Sequence, residues 1–419
     1  MGGSCRAIFK KQFVFSFLRI NVCPKPDTIV QLFIATVAEN VGAEGVISFP
    51  LQNISTISFT LNPGVGEFIN LSPLILPGDS DDTASRRENS SVVVAATDVV
   101  LVYGHIRCID TGIKRSTTFK IRGINELGKD YRVVTFRNKG YAQIAVVALE
   151  DDTLIQVINK VNSSRNANIT LQMYETYVTG GKFDMTGTYI KASTTVFVLT
   201  GNKGDRNPNS HGGGDPFYEC LIPFSNWGTH YYIFPPFKMT GWTAIKIMSW
   251  ENKNVSVVEW RNGNQLSSSA LESSTIFESY GDLGKIESSK PILVAQFATP
   301  KRLTNENQDA NALSMLLVPA IPQFTLNYVV FPVFNLNLVD HAAEYYIKVF
   351  LSAGGHTNDL YINKETTTWQ VVGTYSDGSA IFRTNLSHGS NLLENRGRYN
   401  TTAVVSAVQN VRCYTFALS

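Results

Sequence analysis

The sequence predicts an all-β chain, and three observations carry that prediction. Runs with period-two or β-branched character dominate, as at residues 91–94 (SVVV), 131–136 (YRVVTF) and 195–200 (TVFVLT). Helical apolar spacing with a cap and a stop extends nowhere beyond about two turns. Turn signals (Asn62-Pro63-Gly64, Pro77-Gly78, Asn262-Gly263-Asn264, Asp377-Gly378) punctuate the runs at short intervals. Length and composition agree. A chain of 419 residues with 43% hydrophobic residues can build several cores, and 24 Phe with 17 Tyr exclude a disordered chain, a coiled coil and a collagen. The net charge of +2 offers no clustered basic face for nucleic acid or anionic lipid. No apolar run reaches the roughly 18 residues that a membrane-crossing helix needs, so no membrane span is expected.

The elements follow in chain order. Residues 1–27 read as an N-terminal segment with a degenerate signal region: Arg6, Lys10 and Lys11 precede a short apolar patch at residues 13–18 (FVFSFL), which Arg19 ends. That patch is shorter than the usual secretory core and no small-residue cleavage site follows it. From residue 28 onward the chain repeats itself. Val94–Gly104 resembles Ile190–Gly201, Ile286–Gln296 and, more faintly, Val405–Thr415; the first three copies start 96 residues apart and the fourth 119 residues later. Leu127–Val133 (LGKDYRV) matches Trp227–Ile233 (WGTHYYI), with a looser partner at Thr325–Val330, and the tyrosines lie 100 and 97 residues apart. Gln143–Thr153 pairs with Ala244–Asn254 at a spacing of 101. A period near 100 is too long for a solenoid rung or a standard propeller blade and suits an antiparallel sandwich of six or seven strands. The expectation is four tandem, directly packed, β-sandwich-like modules at 28–115, 116–215, 216–310 and 311–419. A closed, propeller-like ring of large sheets is the alternative.

Five cysteines (Cys5, Cys23, Cys108, Cys220, Cys413) form no C-x-x-C pair, which excludes a zinc ribbon and a thioredoxin-type site. A Cys5–Cys23 or a Cys23–Cys108 disulfide are both open.

Four segments carry a resemblance: Met185–Lys203 (MTGTYIKASTTVFVLTGNK), Asp215–Gly228 (DPFYECLIPFSNWG), Glu287–Phe297 (ESSKPILVAQF) and Met315–Phe324 (MLLVPAIPQF). With them the chain resembles the IgGFc-binding domain family, weakly from Thr28 and most clearly from Leu127 to Asn363. The resemblance implies an extracellular, mucus-associated, non-catalytic binding or adhesion module with a protein or glycoprotein partner. Family members also carry a cysteine pair at positions corresponding to Gly204 and Gly214. Both are missing here, so the resemblance implies a loop without that staple. Immunoglobulin binding, attributed to one member, is not carried over.

No G-x-S-x-G, H-E-x-x-H, G-K-[ST] or G-x-G-x-x-G element occurs, so no enzyme activity and no cofactor or metal site is expected. His211 with Asp215, and Asp340-His341 with Glu344, could form acid–base or metal pairs, but solvated loops explain them better. Asp151 and Asp152 start a calcium-loop pattern that is not completed, and Asn252-Lys253 fills the same turn in the next copy, which favours a turn role. Trp227, Tyr231, Tyr232, Phe234 and Phe237 suggest a sugar platform, yet alternation sends at least half of them to a core. Sequons place candidate N-glycosylation at Asn53, Asn70, Asn89, Asn162, Asn168, Asn254, Asn385 and Asn400.

Recognition is therefore expected on loops, because strands with alternating apolar residues are committed to burial. The variable loops are 77–88, 204–214, 300–309 and 387–396. The first of these to test is 204–214, with Gly204, Asp205, Arg206, Asn207, His211 and Asp215 as its named residues. The rival reading is a carbohydrate-active enzyme or lectin whose site is gathered from loops of different modules.

Overall fold

A computed structural model describes residues 11–20, 23, 25–37, 40–78, 85–108, 115–159, 163–206, 208, 214–238, 240–250, 255–261, 264–271, 274–279, 284–301, 310–321, 327–334, 343–397, 399–409 and 412–418. Every regular element among them is a strand or a single 3-10 turn, and every strand pair is antiparallel. The all-β expectation holds.

Residues 11–121 form two four-stranded sheets. One has the order Lys11–Ser16, Ser91–Ala96, Ala43–Ser48, Ile57–Leu61, and the other Gly66–Leu71, Thr28–Thr36, Val100–Cys108, Arg115–Ile121. The patch beginning at Phe13 is thus a strand, with Phe13, Phe15 and Phe17 all buried. Cys23 and Cys108 are joined in a disulfide.

Strands of residues 128–220 gather on one long strand, Tyr189–Asp205. Its first half pairs with Gly128–Arg132 and Thr153–Ile158, and its second half with Ala142–Ala148 and Asp215–Cys220. Residues 228–317 repeat this scheme on Gly284–Pro300. Gly228–Ile233 and Val255–Arg261 take the first half, Thr240–Ser249 and Ser314–Leu317 the second. Residues 328–417 form a four-stranded sheet (Tyr328–Val333, Gly389–Asn395, Leu360–Ile362, Glu365–Thr366) and a five-stranded one (Gln370–Thr374, Ala380–Asn385, Glu344–Leu351, Thr401–Gln409, Arg412–Ala417).

The recurring tyrosine explains the shared register of the two long strands. Tyr131 lies opposite Ile190 and Tyr231 opposite Ile286. Each hydroxyl accepts from the glycine N–H three residues earlier, Gly128 at 2.8 Å and Gly228 at 3.1 Å, and donates to a long-strand carbonyl, Val196 or Ile292. The glycine itself is required by close approach. A Cβ at Gly228 would meet the Ala320 methyl at 2.3 Å, and one at Gly128 the Pro223 ring at 2.7 Å.

Three closing strands pair back onto the strand before them: Arg115–Ile121 with Val100–Cys108, Asp215–Cys220 with Tyr189–Asp205, and Ser314–Leu317 with Gly284–Pro300.

The four closing strands, Arg412–Ala417 being the last, pack against one another. Tyr218 N–H donates to Thr117 Oγ1 at 3.2 Å, and Cys413 N–H to the Asp215 carboxylate at 3.3 Å. Cores extend across the sets. One joins Phe15, Phe17 and Phe119 with Ala145, Phe197 and Tyr218; another joins Tyr131 and Met185 with Trp242 and Phe297. Smaller ones join Tyr232 with Phe350, and Phe237 with Tyr346. A further core joins Phe33 and Tyr103, near the start of the chain, with Phe334 and Phe416, near its end.

Candidate functional site

The connection between the long strand and its closing strand is where the sequence places recognition. Asn207 and His211 of that connection lie outside the described residues. Its anchors are clear. Asp205 is buried, and its carboxylate accepts the backbone N–H groups of Asn138 (2.7 Å), Lys139 (3.0 Å) and Arg206 (2.8 Å) and the Asn202 side-chain amide (3.1 Å). Asp215 pairs with Asp205 across the strand ends and is buried as well, taking the Cys413 N–H. Gly204 N–H donates to Asn202 Oδ1 at 3.0 Å. A Cβ at Gly214 would lie 2.0 Å from the Asp205 carbonyl oxygen, so only glycine fits there. The two acids therefore hold the base of the connection and are not presented to a ligand. Sequence reasoning treated them as exposed because a Gly-rich, polar stretch surrounds them; the strand ladder continues further than composition indicates.

Three further connections leave Cys108 and return at Arg115, leave Pro300 and return at Ala310, and leave Gln409 and return at Arg412. Ala310 N–H closes the second of these on Pro300 O at 2.9 Å. The strands that follow start side by side. The Cys413 N–H meets the Asp215 carboxylate, and Ser314–Leu317 packs against both Asp215–Cys220 and Arg412–Ala417. Burial and the neighbouring Asp215 charge push the Cys413 thiol well above its ordinary range. The closing strands also end together, in a more charged environment. There burial raises the Glu219 carboxyl to about 8 against the opposing pull of Arg122, the Leu317 N–H and Lys120. Burial, with Arg122 nearby, lowers Lys120 to about 8.

The remaining candidates have structural roles. Met173 N–H donates to Asp151 at 3.0 Å and the Gln172 amide to Asp152 at 2.9 Å, and Asp152 has a φ of 52°. These are turn contacts. Glu344 faces Lys238 at 3.5 Å, while Asp340 and His341 lie outside the described residues. Trp227, Tyr231, Tyr232, Phe234 and Phe237 are all buried, more of them than alternation alone requires. The extra burial comes from neighbouring strands, since Tyr232 packs on Phe350 and Tyr375. No group of three or more His, Cys, Asp or Glu able to hold a metal occurs among the described residues. Asn53, Asn70, Asn89, Asn168, Asn385 and Asn400 are exposed, whereas Asn162 and Asn254 lie outside the described residues.

Comparison with known proteins bears on this arrangement. The family model described as IgGFc binding protein matches residues 116–405. The chain belongs to this family. Within it, the chain is 24% identical over 236 residues to the Homo sapiens IgGFc-binding protein, covering 54% of this chain and 4% of that protein. The shared region is therefore a small part of the human relative. A solved tetra-tandem repeat from the extending region of a large adhesion protein aligns over 97% of both chains, at 12% identity and a TM-score of 0.10. A score that low carries no structural argument. The IgGFc-binding family is extracellular, a setting in which disulfides such as Cys23–Cys108 commonly form. No helix among the described residues is long and apolar enough to cross a membrane.

Proposed function

We propose that this chain is a non-catalytic extracellular binding module built from four related antiparallel β units, at 11–121, 128–220, 228–317 and 328–417. In this reading the units close into a ring around the four closing strands, and one end of that hub recognises a protein or glycoprotein. Support for a repeated unit is the pairing scheme shared by 128–220 and 228–317, in which the strand after the 3-10 turn and the closing strand meet opposite halves of one long strand. Support for the ring is the core that joins Phe33 and Tyr103 to Phe334 and Phe416.

The observation that carries the binding reading is the packing of Asp215–Cys220, Ser314–Leu317 and Arg412–Ala417 against one another, with the Cys413 N–H on the Asp215 carboxylate. It gathers the anchors of the variable connections at one end of the hub. Loops held on a rigid scaffold can change without disturbing its core, and loop length alters closure entropy only slowly. The enzyme reading would need an acid and a base free to act there, and the carboxylates of Asp205 and Asp215 are occupied by backbone N–H groups.

The name of the human relative makes an immunoglobulin Fc fragment the first probe, with a purified mucin as the second. Replacing residues 207–213, or separately 302–309, by a short Gly-Ser turn should preserve the melting temperature and weaken binding of whichever probe the intact chain takes up. Unchanged affinity in both variants would remove this end of the hub as the binding surface.

A further inference from the structure

We propose that the six exposed sequon asparagines carry N-glycans, and that those on Asn70 and Asn168 prevent two open sheet edges from pairing with other chains. This inference does not rest on the binding reading. Asn70 lies in Gly66–Leu71 and Asn168 in Ala167–Leu171, each the outermost strand of its sheet. An outermost strand presents unpaired N–H and C=O groups, a template that another extended chain can join.

The molecule manages other edges by different means. Thr176–Gly181 is covered by Arg86–Glu88, a segment from the preceding set of strands. Gln370–Thr374 carries a bulge between Val371 and Gly373, which breaks the ladder a second chain would need. Gly66–Leu71 and Ala167–Leu171 pair without a register shift, from Val30 opposite Leu71 to Ala35 opposite Gly66, and from Thr153 opposite Leu171 to Val157 opposite Ala167. On these two of the molecule's regular edges the exposed asparagine of an N-x-[ST] triplet stands within the strand, opposite Gln31 in one case and Gln156 in the other.

The chemistry fits the side chain as placed. Asn70 Oδ1 accepts from Gln31 Nε2 at 2.8 Å, which turns the amide so that Nδ2 is the atom left to react. Nδ2 bonds to the anomeric carbon of an oligosaccharide carried on a lipid pyrophosphate. The bond from that carbon to the pyrophosphate oxygen breaks, the lipid pyrophosphate departs, and Nδ2 loses one proton. Oδ1 remains an acceptor, so the contact with Gln31 survives. A branched glycan beside the strand then fills the space that an incoming strand would occupy.

The test uses the full chain, secreted from eukaryotic cells behind a supplied signal. Peptide:N-glycosidase converts each glycosylated asparagine to aspartate, which peptide mass spectrometry reads site by site. Conversion at Asn70 and Asn168 in most molecules is the expected result, and an unconverted asparagine at either position overturns the proposal. The edge role is read by sedimentation. Asn70→Gln/Asn168→Gln should form oligomers at several-fold lower concentration than Asn53→Gln/Asn400→Gln, and equal behaviour of the two double variants overturns it. Should the first double variant not be secreted, endoglycosidase trimming of the folded wild-type protein removes the bulk of its glycans. The same shift is then expected, and its absence again counts against the edge role.

Discussion

Two junctions in this molecule differ in how much polar contact accompanies their apolar cores. Between the strands of 128–220 and 228–317, polar groups do much of the joining. The Lys246 ammonium is buried, pairs with Asp184, and donates to Thr135 O at 2.7 Å and Thr186 Oγ1 at 3.1 Å, beneath the Phe136 ring. Arg132 donates to Ser249 O, and Tyr189 to Trp250 O at 2.8 Å. Between residues 328–417 and the first strands of the chain, aromatic rings do it instead. His105 stacks on Phe334 at 4.3 Å, Phe68 meets the same ring edge-on at 5.2 Å, and Tyr103 packs on Phe416 at 5.1 Å. At this second junction Tyr103 Oη and His105 Nε2 find no hydrogen-bond partner among the described residues. At the first junction directed polar contacts add to an apolar core in which Phe136 and Phe217 meet Trp242 and Phe297. The two ends of the chain meet through non-directional burial, which holds a large area at the cost of a few unpaired atoms.

Removing the ring at the centre of the aromatic junction should have the largest effect. Phe334→Ala is expected to cost about 3–5 kcal/mol, the usual range for a buried phenylalanine, read as a loss of denaturant midpoint at unchanged slope. A cost below about 1 kcal/mol would mean that the two ends hardly depend on each other.

Acid should act on the same junction through His105. Burial, with Arg107 nearby, lowers its folded pKa from 6.5 to about 3. Between those values the unfolded chain binds a proton that the folded chain does not, so stability falls as pH drops from 6.5 toward 3. The slope is about 1.4 kcal/mol per pH unit, or roughly 3 kcal/mol by pH 4. His105→Phe keeps the stack and should remove that part of the slope, and parallel pH profiles for variant and wild type would contradict the assignment.

At the polar junction, removing one charge should matter more than replacing the ammonium by an apolar chain. Asp184→Asn leaves Lys246 buried with weaker partners and should cost about 1–3 kcal/mol, the lower part of the range reflecting a carboxylate partly open to water. Lys246→Met should cost less, because the cavity is filled and no charge is buried. A double-mutant cycle gives the coupling, and the opposite ranking would show that the ion pair outweighs its desolvation.

The smallest effect concerns the shared tyrosine. Tyr131→Phe and Tyr231→Phe each orphan one glycine N–H and one carbonyl, at about 1–2 kcal/mol apiece. Similar costs at the two positions would support one repeated unit, and a cost at one position alone would weaken it.

Local pattern made much of this fold legible. Alternation and turn residues identify the strands, and the matched text around Tyr131 and Tyr231 anticipates their identical pairing with Ile190 and Ile286. What escaped was non-local. Nothing near Phe33 announces that a ring 300 residues onward will cover it, and nothing in the Gly-rich stretch after Asp205 says that two acids will be buried at its base. One signal was present and unused. Lys246 and Lys348 each interrupt an apolar run at matching places (IKI, IKV), as strand lysines do when buried against carbonyls of a neighbouring element. Lys348 does so on Pro235 O and Phe237 O.

The contact of Tyr103 with Phe416 also has a temporal side. Synthesis delivers Tyr103 long before Phe416, so the newborn chain carries the aromatic surface of Phe33 and Tyr103 uncovered until Phe416 emerges. Such long-range pairing folds slowly and is exposed to misassociation while it waits. A stall or a premature stop before Phe416 would leave the early sheets complete but sticky, and quality-control chaperones would meet this protein at its early strands because their cover comes late.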